Sequence, residues 1–140
     1  MNGGKGADGL VFVVQTMDSN VGGNGGGIGY EGIPYSLGIE FDTWNNGNVD
    51  NHNGNHIGIN IDGNINSIKT KPLYNRLNNS QTWYSWVDYD GINQKLEIRL
   101  SKYSNRPVEP TLTKDNINPG YPAKRECLYW FYFRYWRSRW

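Results

Sequence analysis

The chain has 140 residues, a formal net charge of +1 and a single cysteine. That length holds one domain at most, the charge offers no basic excess for nucleic acid, and a lone cysteine forms no intrachain disulfide. Eighteen glycines and many asparagines favour turns and short strands over helices, and the apolar run at residues 10–14 is far too short to span a membrane.

In chain order, Leu10–Gln15 reads as a β-rich strand that is apolar on both faces, and therefore buried on both. Asp18–Gly29 is a glycine-rich loop. Its composition alone suits a linker, but a position between two strands and beside Asp8 suits a binding loop, where glycine lets backbone N–H groups approach a ligand closely. Ser36–Thr43 is the next strand and Trp44–Asn55 a loop. His56–Ile61 alternates, so Ile57, Ile59 and Ile61 share a face. Asp62-Gly63-Asn64 marks a turn. Trp83–Asp88 and Leu96–Lys102 read as an antiparallel pair around Asp90-Gly91-Ile92-Asn93. Strands at short spacing with turn signals between them predict an all-β sandwich.

The densest chemistry lies in Gly38–Ile59. Side chains alternate along Ile39-Glu40-Phe41-Asp42-Thr43, so Glu40 and Asp42 point the same way. Two carboxylates side by side on a half-buried strand repel each other, and desolvation adds to the cost. A bound cation makes the arrangement favourable; exposed acids on an edge strand are the alternative. The following loop adds Asn46 and Asp50 as oxygen ligands and His56 as a nitrogen ligand. Hard oxygens suit calcium, and imidazole with carboxylates suits a transition metal such as manganese, with Asp42 and Asp50 each able to bridge two ions.

Glu40-Phe-Asp-Thr-Trp-x-Asn46, then Asp50, then His56-Ile-Gly-Ile59, resembles the metal-binding signature of the legume-type (L-type) lectins. Upstream, Ala7-Asp8-Gly9 followed by Leu10–Val14 is similar to the family's Ala-Asp-Gly strand, and Gly25-Gly26-Gly27-Ile28-Gly29-Tyr30 to its glycine loop. Downstream, Asn66–Thr70 and Lys95–Leu100 fit its later strands. These motifs cover roughly residues 3 to 115, and several in order are far more specific than any one alone.

The resemblance implies a partial concanavalin A-like jelly-roll sandwich of antiparallel sheets, here in a bacterial or other non-plant member. By resemblance, calcium takes Asp42, the Trp44 carbonyl, Asn46 and Asp50. The second metal, usually manganese, takes Glu40, Asp42, Asp50 and His56. Thr70 falls where the family often has a hydroxyl that holds a metal-bound water, and is equally read as a surface threonine. For sugar, Asp8 offers a carboxylate that accepts two hydroxyl hydrogen bonds. Asn46 offers an amide N–H, Trp44 an aromatic face, and Gly26 or Gly27 a backbone N–H. A turn acid at Asp8 and core packing at Trp44 are the plainer readings. The family commonly has proline after the bridging acid. Asn51 stands there instead, which predicts a looser metal-free loop. His52 is a competing ligand or, more simply, a solvated loop histidine.

A complete all-β sandwich often runs to about 200–250 residues, and in the family the Ala-Asp-Gly strand lies well inside the domain. Residues 1–120 are therefore expected to be a partial lectin domain that lacks N-terminal strands, with an extracellular or cell-surface location implied by the family. Residues 121–140 form an aromatic, basic tail unlike the rest, which by composition suits a membrane or nucleic-acid surface. A lost reading frame near residues 120–125 accounts for it better. Tryptophan has a single codon, and a one-base forward shift turns Trp130 and Trp136 into glycine. The shifted frame then permits a stretch similar to the family's next strand and loop. Resequencing of the coding region decides this, since an uninterrupted, well-supported frame overturns it.

Three functions follow. The first is a lectin whose calcium and manganese pair organises a glycan site, without catalysis and with an oligomer left open. The second is a glucanase on a related sandwich. Retaining enzymes of that kind use Glu-x-Asp-x-x-Glu with the two carboxyl groups about 5–5.5 Å apart. Here the last position is Asn45, which cannot protonate a leaving group. The third is a structural or adhesive sandwich that binds no sugar.

Overall fold

The computed structural model describes residues 7–16 and 21–118 in full, together with the backbone of 126–134. The expectations placed on Gly3–Gly6, on the start of the Asp18 loop and on most of the tail lie outside these residues. Among the described residues there are eight strands: β1 (Gly9–Gln15), β2 (Ser36–Asp42), β3 (His56–Ile61), β4 (Lys69–Pro72), β5 (Thr82–Asp90), β6 (Lys95–Ser101), β7 (Leu112–Lys114) and β8 (Glu126–Arg134). They form two antiparallel sheets, ordered β1-β2-β3-β4 and β7-β6-β5-β8. Among the described residues the only helical pieces are short 3₁₀ turns at Gly25–Gly27 and Gly47–Asp50. No helix among them is long and apolar enough to cross a membrane.

The two-residue period of β2 and β3 divides core from site. Leu37, Ile39, Phe41, Ile57 and Ile59 lie inward and pack with Val87, Tyr89, Leu96 and Ile98 of the second sheet in one cluster. Each such side chain contributes about 1.5–3 kcal/mol on full burial. The even-numbered residues take the opposite face. There the register sets Asp42 against His56, Glu40 against Gly58, and Gly38 against Asn60. The sequence alternation thus places an apolar face and an ionic face on the same pair of strands.

Ile61 packs at the margin of the core. Its neighbours Asp62 and Gly63 both have positive φ, 53° and 70°, closed by a hydrogen bond from Asn64 N–H to Ile61 O. That is the geometry in which aspartate and glycine are favoured. The β5–β6 hairpin turns where expected. The Asp90 carboxylate accepts the Ile92 and Asn93 N–H groups.

β1 departs from expectation. It was read as buried on both faces, yet every residue from Gly9 to Gln15 is only half-buried. Its apolar run suggests an interior strand, but among the described residues β1 lies at the edge of its sheet and pairs only with β2. β7 was not anticipated: three residues carry too little alternation to be recognised, and its pairing with β6 defines it. Within the tail, the backbone of β8 pairs with β5 along its whole length.

Candidate metal centre and adjoining loops

β2 supplies Glu40 and Asp42, the 3₁₀ turn supplies Asp50, and β3 supplies His56. Each offers a ligand atom within 4.8 Å of the others, and the residues are only 2 %, 3 %, 5 % and 1 % exposed. Three acids and one imidazole in so little solvent are electrostatically unbalanced. Burial is the main force raising the Asp42 carboxyl to about 7, with the charges of Asp50 and Glu40 adding to it against the Trp44 N–H. Burial likewise raises Asp50. Burial opposes the charged form of His56, but its hydrogen bond to Glu40 and the charges of Glu40 and Asp42 outweigh this, and its pKa is raised.

The orientation of His56 suits a metal. Its Nδ1 lies 2.8 Å from the Asn53 carbonyl, an acceptor, so Nδ1 carries a proton, while Nε2 hydrogen-bonds Glu40 Oε1 at 3.0 Å and is the nitrogen that a metal would take. Metal-ligating histidines characteristically donate their other ring N–H to a carbonyl or carboxylate in this way. The loop closes on the acids through its backbone. Trp44 N–H donates to Asp42 Oδ1 at 2.6 Å, and Asn46 N–H donates to Asp50 Oδ2. The donor set of carboxylates with one imidazole therefore fits a hard cation beside a transition metal.

Two partners escaped the sequence reading. Asn60 Nδ2 donates to Glu40 Oε2 at 2.5 Å, and Ser67 Oγ donates to Asn60 Oδ1 at 2.6 Å. This chain of hydrogen bonds fixes the Glu40 carboxylate. A Cβ at Gly58 would fall 2.3 Å from Ser67 Oγ, so glycine is required where the hydroxyl crosses the strand. The alternation of His56–Ile61 put Asn60 on the His56 face, which was the available signal. Ser67 had none, because it arrives through a turn. Thr70, expected to hold a water, is half-buried and pairs in register with Gly58; the hydroxyl in the described Glu40 network is that of Ser67.

The expected sugar residues gather at the same end of the first sheet. The Asp8 carbonyl accepts hydrogen bonds from Thr43 N at 2.9 Å and Thr43 Oγ1 at 3.0 Å, and the Ala7–Asp8 peptide is cis. The glycine loop rests on the Trp44–Asn55 loop, since a Cβ at Gly26 would lie 2.8 Å from Asn46 Nδ2. Gly27 is buried against Glu31, whose Oε2 would lie 2.9 Å from an added Cβ. Trp44 is 54 % exposed, so it is not a core residue. Asn45 spans the loop instead of facing the cluster, donating to His52 O at 3.1 Å and accepting from Gly47 N at 2.8 Å. His52 is exposed and outside the cluster of potential ligands.

Comparison with known proteins agrees with this arrangement. The family model described as the legume lectin domain matches residues 1–119. The L-type lectin-domain containing receptor kinase VIII.1 of Arabidopsis thaliana is 28 % identical over 111 residues, which is 75 % of this chain and 16 % of the kinase. The galactose-binding lectin of Arachis hypogaea is 29 % identical over 116 residues, 79 % of this chain and 37 % of that lectin. The chain thus spans well under half the length of either relative. The expectation of a non-plant member finds no support in these two, both from plants. A peanut lectin structure solved with a nine-residue peptide superposes with a TM-score of 0.63 at 20 % identity, covering 96 % of this chain and 58 % of the lectin. The two antiparallel sheets are accordingly part of a jelly-roll sandwich of that type.

Proposed function

Because the chain belongs to the legume lectin domain family, we propose that it is a carbohydrate-binding domain whose sugar site is organised by a calcium and manganese pair. The observation that carries this reading is the buried quartet of Glu40, Asp42, Asp50 and His56, with its excess of acids over cations. Calcium takes Asp42, the Trp44 carbonyl, Asn46 and Asp50; manganese takes Glu40, Asp42, Asp50 and His56. When bound, the ions supply the positive charge that this group lacks. The chain's own residues do the recognition. Asp8 accepts hydroxyl hydrogen bonds, Asn46 donates its amide N–H, and Gly26 or Gly27 donates a backbone N–H. The exposed Trp44 ring covers the apolar face of a pyranose.

Binding without catalysis is supported by Asn45, an amide at the position where a retaining glucanase has its acid. An extracellular or cell-surface location follows from the same family reading. Monosaccharide affinity is expected on the order of millimolar, about −4 kcal/mol, with avidity from several sites in an assembly.

The test is calcium and manganese titration by calorimetry, with Asp42→Ala as control, followed by a glycan array with and without chelator. Metal uptake lost in the variant, with chelator-sensitive glycan signals, is the expected result. Glycan signals that survive chelation contradict the metal-organised site. Metal uptake without glycan binding at any concentration leaves the adhesive or structural sandwich.

A further inference from the structure

A pocket of about 470 Å³ opens beside Trp44, between the Trp44–Asn55 loop and the segment after β4. Its wall includes Trp44, Asn45, His52, Asn53 and Arg76, and among the described residues no carboxylate lines it. The nearby acids Asp42 and Asp50 are buried in the metal cluster.

The pocket is held together by one amide. Asn55 Nδ2 donates to Leu73 O at 2.8 Å and to Asn75 O at 3.1 Å, while its Oδ1 accepts Leu77 N–H at 3.0 Å. These bonds tie residues 73–77 to the end of the metal loop and deliver Arg76 to the pocket wall. Arg76 Nε donates at 3.1 Å to Oδ1 of Asn78, a residue only 7 % exposed. That bond anchors the root of the guanidinium. Its terminal nitrogens, like the His52 imidazole, have no partner among the described residues. An exposed aromatic face, an anchored planar cation with free donors and a described lining without carboxylates are complementary to one kind of sugar.

We propose that this pocket is a subsite for an anionic saccharide unit, a uronate or a sulfated sugar, attached to the residue held at the Asp8–Asn46 site. The proposal rests on the lectin reading above, and Trp44 is the shared wall. The anion accepts hydrogen bonds from the Arg76 terminal nitrogens, with His52 as a second donor, and the sugar ring's C–H face lies on Trp44.

The test uses the full 140-residue chain, loaded with calcium and manganese. It is applied to an array of matched oligosaccharides in neutral, uronate-terminated and sulfated forms. The expected result is a roughly tenfold preference for an anionic form over its neutral match, weakening as salt screens the exposed charge. Arg76→Ala should remove that preference and leave neutral binding and metal uptake unchanged, and Arg76→Lys should restore part of it. Uronate and sulfate arms distinguish the source of the anion. A wild-type protein that binds neutral glycans without anionic preference, or a preference that survives in Arg76→Ala, overturns the subsite alone. Absence of any glycan signal overturns the subsite and the lectin reading together.

Discussion

On the first sheet, Glu40, Asp42 and Asp50 share one imidazole, that of His56. On the second, Arg99 spans Asp88 at 2.6 Å and Glu97 at 2.9 Å and also donates to the Val108 carbonyl. Arg106 reaches Asp88 as well, and Lys95 reaches Glu97 at 2.7 Å. The consequences for proton binding are opposite. Burial pushes Asp42 up to about 7, whereas hydrogen bonds from Lys95 and Arg99 hold the Glu97 carboxyl below its ordinary value. The second-sheet cluster has more cations than acids, and each of its acids is paired directly. The first-sheet cluster has more acids than cations, under cover, and that excess of negative charge is what a bound cation would offset.

The largest expected effect that separates the two is on metal binding. Asp42→Asn keeps an acceptor for the Trp44 N–H but removes a charge. It should lower calcium and manganese affinity by at least about a hundredfold, beyond the 10–100-fold typical of changes to supporting partners. In chelator at pH 8 it should melt no lower than the wild type, because repulsion has been relieved. A metal-binding isotherm like that of the wild type would remove Asp42 from the site. Arg99→Ala should do the reverse, leaving metal affinity intact. It should cost about 3 kcal/mol, at the low end for breaking a buried pair because its partners are partly solvated. Urea denaturation measures this, and a loss under 1 kcal/mol would place the network among ordinary surface pairs.

Acidity sharpens the comparison further. Asp42, Asp50 and His56 all bind protons more tightly folded than unfolded. Their stabilisation is complete below the unfolded pKa values, 3.8 for the acids and 6.5 for His56. It is lost as pH rises through the folded values, about 7 for Asp42. Metal-free protein should therefore be less stable at pH 8 than at pH 5. Glu97 and Asp90, with lowered values, change only at lower pH and do not blur that window. With calcium and manganese the trend should invert, since ligands must shed protons to bind metal. Urea midpoints at the two pH values decide it, and a chelated protein more stable at pH 8 contradicts the argument. The smallest stability effect belongs to Trp44→Ala. The ring is over half exposed, so the melting free energy should change by no more than about 0.5 kcal/mol while glycan binding disappears. Retained glycan signals would move the sugar away from this ring.

Much of the first sheet was legible because its period is local. His56–Ile61 matches β3 at both ends, and the same alternation that buries Ile57 and Ile59 puts His56 and Asn60 on the face of Glu40. The Asp90–Asn93 turn was legible because its aspartate binds its own neighbours. β1 was misjudged because an apolar run records what a strand can bury, not whether a neighbour arrives to bury it. The Arg99 network went unread. Arginine and carboxylate at alternate positions of β6 look like any solvated face until β5 brings Asp88 alongside in register with Glu97.

The sequence by itself determined β2, β3, β5 and β6, the two faces of β2 and β3, and the candidate ligand types in Glu40, Asp42, Asp50 and His56, since these depend on side-chain chemistry and a two-residue repeat. Tertiary structure decided what closes around them. Ser67 reaches Asn60 across a turn, Gly26 settles on Asn46, and Asn55 carries Arg76 to the pocket from 21 residues further along the chain. Such contacts require chain segments to meet only after the sheets have packed, and no local pattern encodes the meeting.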